Sequence, residues 1–483
     1  METMHYISGC WQPAQDDRCF EVRNPADDSL IAQVSEGSSA DARLAADAAA
    51  LALPAWKARP PRERCLILKK WQALIERDVE PLAQLISREQ GKPLAEARGE
   101  VAYSAGYVEW FAEEGVRANG EVIAAPVNSK RYIVLREAVG VVAVVTPWNF
   151  PAAMIARKIA PALAAGCTVL AKPAEDTPLT ALALVKLAEE AGVPPGVLNI
   201  VAVSRERTPQ VVGEWLADPR VRKISFTGST PVGKLLARDS AITLKKLSLE
   251  LGGNAPFIVF EDADVDAAVE GLMAAKFRNG GQTCVSPNRV YVHAAVHDRF
   301  VDKLAARVGA LRVGPADWPE AEIGPMINAR AVDKIERHVN DAVAKGAQVV
   351  VGGQRVCNET ASGPNYYAPT VLIGATRAME LSCEETFGPV VPVFCFADEA
   401  EVMAQANDTP YGLAGYFFSQ DVKRIWRVAA ALETGMVGIN EGAIAAQAAP
   451  FGGVKESGYG REGSHWGLDE YMHTKYLCQG GLV

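Results

Sequence analysis

The run Val141-Val142-Ala143-Val144-Val145-Thr146-Pro147-Trp148-Asn149-Phe150-Pro151 changes the period of the chain. Five apolar residues with no polar alternation predict a strand covered on both faces. Pro151 suits a first helical turn, so a helix is expected from Ala152. The same alternation then repeats. Strands are expected over 168–171, 197–201, 223–226 and 244–249, with helices from Leu179, near Gln210 and from Val232. Continuous apolar strands joined by helices specify a parallel, doubly wound sheet.

A second α/β series opens at Ala255-Pro256-Phe257-Ile258-Val259-Phe260. It has helices near Phe300 and Val332 and strands near Val349, Val390 and Tyr416. Upstream, residues 1–35 predict short strands and turns, and Ser39 to about Asn119 is helical in pattern. Extended runs over 121–127 and 130–139, parted by Asn128-Ser129, predict a hairpin. The segment 471–482 is again extended in pattern.

A chain of 483 residues exceeds what one core usually serves, so at least two domains are expected. Its 49 % hydrophobic and 22 % charged composition is that of a soluble globular protein. A formal charge of −9 argues against a nucleic-acid partner. Nine cysteines with no CxxC pair and no metal-ligand spacing fit a reducing cytoplasm and no metal site. The start, Met1 to Trp11, lacks a basic segment followed by an apolar one, so no secretory signal is expected. Ala138 to Ala156 carries no charge, but Pro147, Asn149 and Pro151 inside it would leave polar groups unpaired in lipid. No membrane span is expected there.

In parallel sheets, ligands bind beyond the carboxyl ends of the strands. Four polar clusters fall at such ends: Trp148-Asn149, Lys172 to Glu175, Thr227 to Gly233, and Glu250 to Gly253. The glycine turn at Gly228, followed by Ser229, Thr230 and Pro231, suits a phosphate at a helix N-terminus, or is only a turn with a capping Ser229 or Thr230. Lys172 and Glu175 suit ribose hydroxyls, or are a solvated strand end and a helix-entry charge. Glu250 is a general base or a surface carboxylate. Asn149 donates to an oxyanion or caps the helix near Pro151. A fifth element is different. The helical pattern from Asp264 to Phe277 breaks at Asn279-Gly280-Gly281, and Cys284 follows on a short loop before a strand at 289–293. A thiol so placed can be aimed as a nucleophile, or is incidental.

Taken together, Thr146-Pro147-Trp148-Asn149-Phe150-Pro151, Lys172-Pro173-Ala174-Glu175, Phe226-Thr227-Gly228-Ser229-Thr230, Leu249-Glu250-Leu251-Gly252-Gly253, Gly281-Gln282-Thr283-Cys284, Glu385-Thr386-Phe387-Gly388-Pro389 and Pro450-Phe451-Gly452-Gly453 resemble the NAD(P)-dependent aldehyde dehydrogenase superfamily. The resemblance implies two doubly wound α/β domains, one a Rossmann-like cofactor domain and one catalytic, plus a small β oligomerisation domain. These would be residues 1–118 with 139–251, residues 252–445, and residues 119–138 with 463–483. It implies Cys284 as nucleophile, Asn149 with the Cys284 N–H as oxyanion hole, and Glu250 as activator of the deacylating water. Trp148, Lys172, Glu175 and Ser229 would meet the adenosine and pyrophosphate side of the cofactor, and Glu385 and Phe387 the nicotinamide half. Gly228 and Leu251 would also line the cofactor site. A homodimer or homotetramer is implied.

Within the superfamily, Ile155-Ala156-Arg157-Lys158, Lys276-Phe277-Arg278-Asn279 and the run 453–463 resemble the succinate-semialdehyde dehydrogenase branch. Arg157 and Arg278 would then hold the distal carboxylate of a small carboxylated aldehyde, since a guanidinium fork suits a carboxylate; an internal salt bridge is the alternative. The branch often has a serine after Asn440-Glu441-Gly442, where this chain has Ala443-Ile444-Ala445-Ala446. Glutarate semialdehyde and 2-oxoglutarate semialdehyde therefore stand beside succinate semialdehyde as substrates. Ser286 takes the place of a second cysteine found in some members, so no disulfide switch is expected. Glu175 beside the adenine ribose would repel a 2′-phosphate, which favours NAD over NADP. A cysteine hydrolase would need a histidine near Cys284, and the six histidines form no partner motif. A binding protein without activity is the other rival.

Overall fold

The computed structural model describes residues 1–482, and among these the strands form four sheets. The first runs Gly458–Tyr459, Lys246–Glu250, Val221–Thr227, Val141–Val145, Thr168–Lys172, Leu198–Ile200, His5–Ile7, Cys10–Gln12. Its inner strands are parallel and its edges antiparallel. Val141–Val145 explains itself. Val142 and Val144 enter one core with the helices Pro61–Arg77, Leu94–Arg117 and Pro151–Ala165. Val141, Ala143 and Val145 enter another core with Ser39–Ala58 and Thr208–Ala217. A strand with a core on each face has no solvent side on which to place polar residues.

Both sheet neighbours of Val141–Val145 follow it in the chain, and they lie on opposite sides of it. Thr168–Lys172 pairs on one flank and Val221–Thr227 on the other. That reversal opens a crevice at the carboxyl ends of the two strands Val141–Val145 and Val221–Thr227.

The second sheet runs Gln348–Val351, Thr370–Ile373, Val390–Phe396, Pro287–His293, Ala255–Val259, Ala414–Phe418, Met436–Ile439. All neighbours except the first pair are parallel. Thr370–Ile373, Met436–Ile439 and the helices Glu399–Asn407 and Val422–Ala431 go beyond the sequence expectation. They are short, and the stretch holding them has no sustained period.

The predicted hairpin is present but shorter on its first arm: Glu121–Ile123 pairs with Arg131–Ala138. Arg131–Ala138 also takes Met472–Gln479 along its full length, which makes a three-stranded antiparallel sheet. Ahead of Met472–Gln479 the chain also forms a helix, Ser464–Asp469, packed on Leu94–Arg117 and Pro151–Ala165. Just before it, Gly458–Tyr459 returns to the first sheet beside Lys246–Glu250. Gly458 permits this: its φ is 108° and a Cβ there would lie 1.9 Å from the Leu249 carbonyl oxygen. Among the described residues no helix is long and apolar enough to cross a membrane.

Candidate active site

A cleft of about 420 Å³ lies where the carboxyl ends of the first sheet face the amino ends of the second. Trp148, Asn149, Gly228, Ser229 and Leu251 enter it from the first sheet, each just past the end of a strand. Cys284, Glu385 and Phe387 enter it from loops that precede strands of the second. The strand-end rule therefore covers half of the site. The other half sits at the opposite ends of its strands, which the pattern of the sequence does not announce.

The Cys284 loop is set by backbone geometry. Helix Val265–Lys276, capped by the Asp264 carboxylate on the N–H groups of Asp266 and Ala267, ends in a tight turn, Arg278–Gly281. Asn279, Gly280 and Gly281 all have positive φ. A Cβ on Gly281 would lie 2.2 Å from the Gly388 carbonyl oxygen, so only glycine lets this loop touch the Glu385–Pro389 loop. Gln282 locks the turn: its Nε2 donates to Asn279 O at 3.1 Å and its Oε1 accepts from Ile327 N at 3.0 Å.

Cys284 is half-buried at the cleft. Burial pushes its thiol up to about 12; Arg157 opposes this, while Glu385 and Glu250 add to it. At neutral pH the resting thiol keeps its proton, so attack needs a proton acceptor. None of the charged groups acting on it is a histidine.

Asn149 is buried, and its Nδ2 donates to the Gln282 carbonyl at 3.0 Å. An amide nitrogen has two hydrogens, so one remains for a ligand in the cleft. Asn149 does not cap the following helix. Phe150 holds the cap position without a side-chain bond, and the Glu100 carboxylate accepts from Ala152 N at 2.8 Å and Ala153 N at 3.2 Å instead.

Glu250 is not a surface carboxylate: it is 2 % exposed, and neither carboxyl oxygen has a hydrogen-bond partner among the described residues. Burial pushes it well above the ordinary carboxylate range and Glu462 adds to this, against Arg157, Lys158 and Arg461. Its backbone carbonyl accepts from Gly228 N at 3.0 Å, which ties the glycine turn to the strand that carries it.

The arginines differ. Arg157 is fully buried, ion-paired with Glu462, and lies 4.6 Å from the Phe451 ring centre. Burial pulls its guanidinium down, but Glu462 outweighs this and holds the pKa above the usual arginine value. The internal salt bridge is thus real, yet Nη2 has no partner among the described residues. Arg278 is exposed and stacks on Phe150 at 4.7 Å, beside Asn149.

Of the residues expected on the cofactor side, Trp148, Gly228, Ser229, Leu251, Glu385 and Phe387 line the cleft, and Lys172 and Glu175 do not. Helix Thr230–Ser240 directs its N-terminus at the cleft with no acidic residue in its first turn, and Gly228 and Ser229 line the approach. That arrangement suits a pyrophosphate. Ser229 is the cap residue, but its side chain makes no capping bond. Glu385 is pushed up to about 7 by burial, and its Oε1 accepts from Gly253 N at 3.2 Å. Trp148 packs edge-to-face on Phe387 at 5.6 Å, so residues expected at opposite halves of the cofactor touch each other. Lys172 is buried and pairs with Glu175 at 3.1 Å. Burial pushes Glu175 up, but Lys172 outweighs it and the carboxylate sits below its ordinary range. Glu175 lines an adjoining cavity of about 480 Å³, which shares Arg205, Asn328 and Arg330 with the cleft.

Sequence reasoning assigned no role to Lys158 and Glu462, which join Arg157 in one buried ion cluster. One signal pointed there: Arg157-Lys158 lies within an otherwise apolar helix, and buried cations require a carboxylate. Which carboxylate answers, 304 residues away, is not readable from spacing.

A model of the aldehyde dehydrogenase family matches residues 11–477. The chain is 51 % identical over 477 residues to the glutarate-semialdehyde dehydrogenase of Pseudomonas aeruginosa, covering 99 % of this chain and 97 % of that protein. It is equally 51 % identical over 474 residues to the NADP(+) succinate-semialdehyde dehydrogenase of Escherichia coli, covering 98 % and 97 %. A crystal structure of an E. coli NADP-dependent enzyme superposes with a TM-score of 0.97 at 50 % identity, over 99 % of this chain and 98 % of that one. With a family model over nearly the whole chain, relatives at half identity and a matching fold, and with Asn149 and Cys284 both lining one cleft, this chain belongs to the aldehyde dehydrogenase family.

Proposed function

We propose that this enzyme oxidises a small ω-carboxylated aldehyde, succinate semialdehyde first, to the corresponding acid. The observation that carries the substrate class is the pair of guanidinium groups beside the reacting residues. The Arg157 charge lowers the Cys284 thiol against its burial, and Arg278 stacks on the residue next to Asn149. A carboxylate held by such forks brings the aldehyde end over the thiol. Glutarate semialdehyde is the second reading, favoured by the hydroxyl-free run 443–446 and by the relative in P. aeruginosa.

The chemistry follows from residue types. Cys284 adds to the aldehyde carbon, and its proton passes to a neighbouring base. The oxyanion so formed accepts hydrogen bonds from the free Asn149 N–H and from the Cys284 backbone N–H. A bound nicotinamide supplies the hydride acceptor. Cys284 then carries a thioester, and Glu250 takes a proton from the water that hydrolyses it. Gly228, Ser229, Leu251 and Trp148 would hold the dinucleotide, with Glu385 and Phe387 around its reactive end. We infer NAD from Glu175, which stays charged beside Lys172 and repels a 2′-phosphate. NADP is the alternative, favoured by Arg205 and Arg330 in the shared wall and by the E. coli relative.

The test is kcat/KM across succinate semialdehyde, glutarate semialdehyde and neutral aldehydes of similar length, for wild type and Arg278→Leu. Loss of a bidentate carboxylate contact should cost carboxylated substrates ~10-fold or more and neutral ones little. Equal losses for both would refute the carboxylate clamp.

A further inference from the structure

The segment that precedes and begins helix Leu94–Arg117 belongs to neither large sheet, yet its buried charges end on the active-site loops. Lys92 is 2 % exposed, and its Nζ donates to the carbonyl oxygen of Asn149 at 2.8 Å and to Glu100 Oε2 at 2.6 Å. The same ammonium lies 3.9 Å from the Phe150 ring centre. The other oxygen of Glu100 holds Ala152 N and Ala153 N, which open the helix that follows Asn149. Four residues before Glu100, the Glu96 carboxylate accepts from Asn279 N at 2.8 Å. Asn279 in turn donates its Nδ2 to the same Asn149 carbonyl at 2.9 Å. Two donors from different parts of the chain thus converge on one carbonyl oxygen, and the segment also grips the turn that leads to Cys284.

A buried ammonium–carboxylate pair gives little net stability against its desolvation, so its placement on this backbone needs another reason. We propose that Lys92 is a positioning residue for the oxyanion site: paired with Glu100, it fixes the Asn149 backbone so that the free amide N–H points into the cleft. This rests on the assignment of Asn149 to the oxyanion hole. The geometry supports it. The Asn149 amide is steered by Gln282 O at one end, and its carbonyl by Lys92 and Asn279 at the other. A shift of that backbone by about 1 Å would carry the donor away from the developing charge.

The experiment is the pre-steady-state burst of reduced cofactor in Lys92→Met, Asn149→Ala and the double variant. Asn149→Ala should slow the burst by ~10²–10³. Lys92→Met should slow it by roughly 10- to 100-fold through misplacement. If Lys92 acts through Asn149, the double variant is no slower than Asn149→Ala alone. A purely structural role would leave Lys92→Met its full factor in the Asn149→Ala background, and that result overturns the inference. Because Lys92→Met strands the Glu100 carboxylate, Lys92→Met/Glu100→Gln is run beside it with both charges gone. A wild-type burst in that variant also overturns the inference. A wild-type burst in Asn149→Ala would instead overturn the oxyanion assignment itself.

Discussion

Glu250 shows how little of a residue's work its neighbours in sequence reveal. Its place at the end of Lys246–Glu250 was legible from the strand pattern, as were those of Asn149 and Cys284 from their breaks. Its burial, its lack of partners and the cluster of Arg157, Lys158 and Glu462 that acts on it were not, because those groups arrive from distant parts of the chain. The base we propose is thus a carboxyl whose proton affinity is raised chiefly by desolvation. Replacing Glu250 with Gln keeps shape and burial but removes the ability to take a proton from water. The acyl-enzyme should still form, so one equivalent of reduced cofactor appears per site and turnover then falls by ~10²–10⁴. Loss of the burst as well would assign Glu250 to an earlier step. The pH dependence follows with a definite sign. The base we propose works in its deprotonated form, and burial holds its pKa above the ordinary carboxylate range, so kcat should rise as pH increases beyond that range. A flat kcat from about pH 5 to 9 would contradict the base assignment.

At the scale of elements, the strands and helices of the first sheet were readable because each has one continuous period. The Cys284 turn was readable only as a break. What the break does depends on Gly281, where φ is 77° and the Gly388 carbonyl oxygen leaves no room for a side chain. That contact joins the thiol loop to the loop bearing Glu385 and Phe387, which precedes Val390–Phe396. Gly281→Ala should therefore do two things. A left-handed alanine costs about 1–2 kcal/mol, and the clash displaces one loop from the other. Activity should fall at least ~100-fold while the protein remains folded, since misplacement by about 1 Å suffices for that. Circular dichroism and the rate of thiol labelling at Cys284 would check it. A variant with native labelling and native kcat would show that the two loops need not touch.

For the whole molecule, the two parallel sheets were legible as separate α/β series, but their opposed edges were not. Nothing local in the sequence says that the carboxyl ends of Val141–Val145 and Val221–Thr227 will face the amino ends of Pro287–His293 and Val390–Phe396. Only long-range packing decides that, and the return of Gly458–Tyr459 to the first sheet beside Lys246–Glu250 is part of it. A cofactor in that cleft touches both halves, since Gly228, Ser229 and Leu251 line it from one sheet and Glu385 and Phe387 from the other. Binding to the folded state alone adds about 2.7 kcal/mol at a hundredfold excess over Kd. Saturating cofactor should therefore raise one cooperative melting transition. A ligand that touched only one sheet would split the melt into a shifted part and an unshifted part. The size of the shift also ranks the two nucleotides. If the charged Glu175 dominates the ribose end, NAD raises the transition more than NADP at equal concentration, and Glu175→Gln narrows the gap. A larger shift with NADP in the wild type would mean that Arg205 and Arg330 outweigh Glu175, and the NAD assignment would fall while the position of the cleft stood.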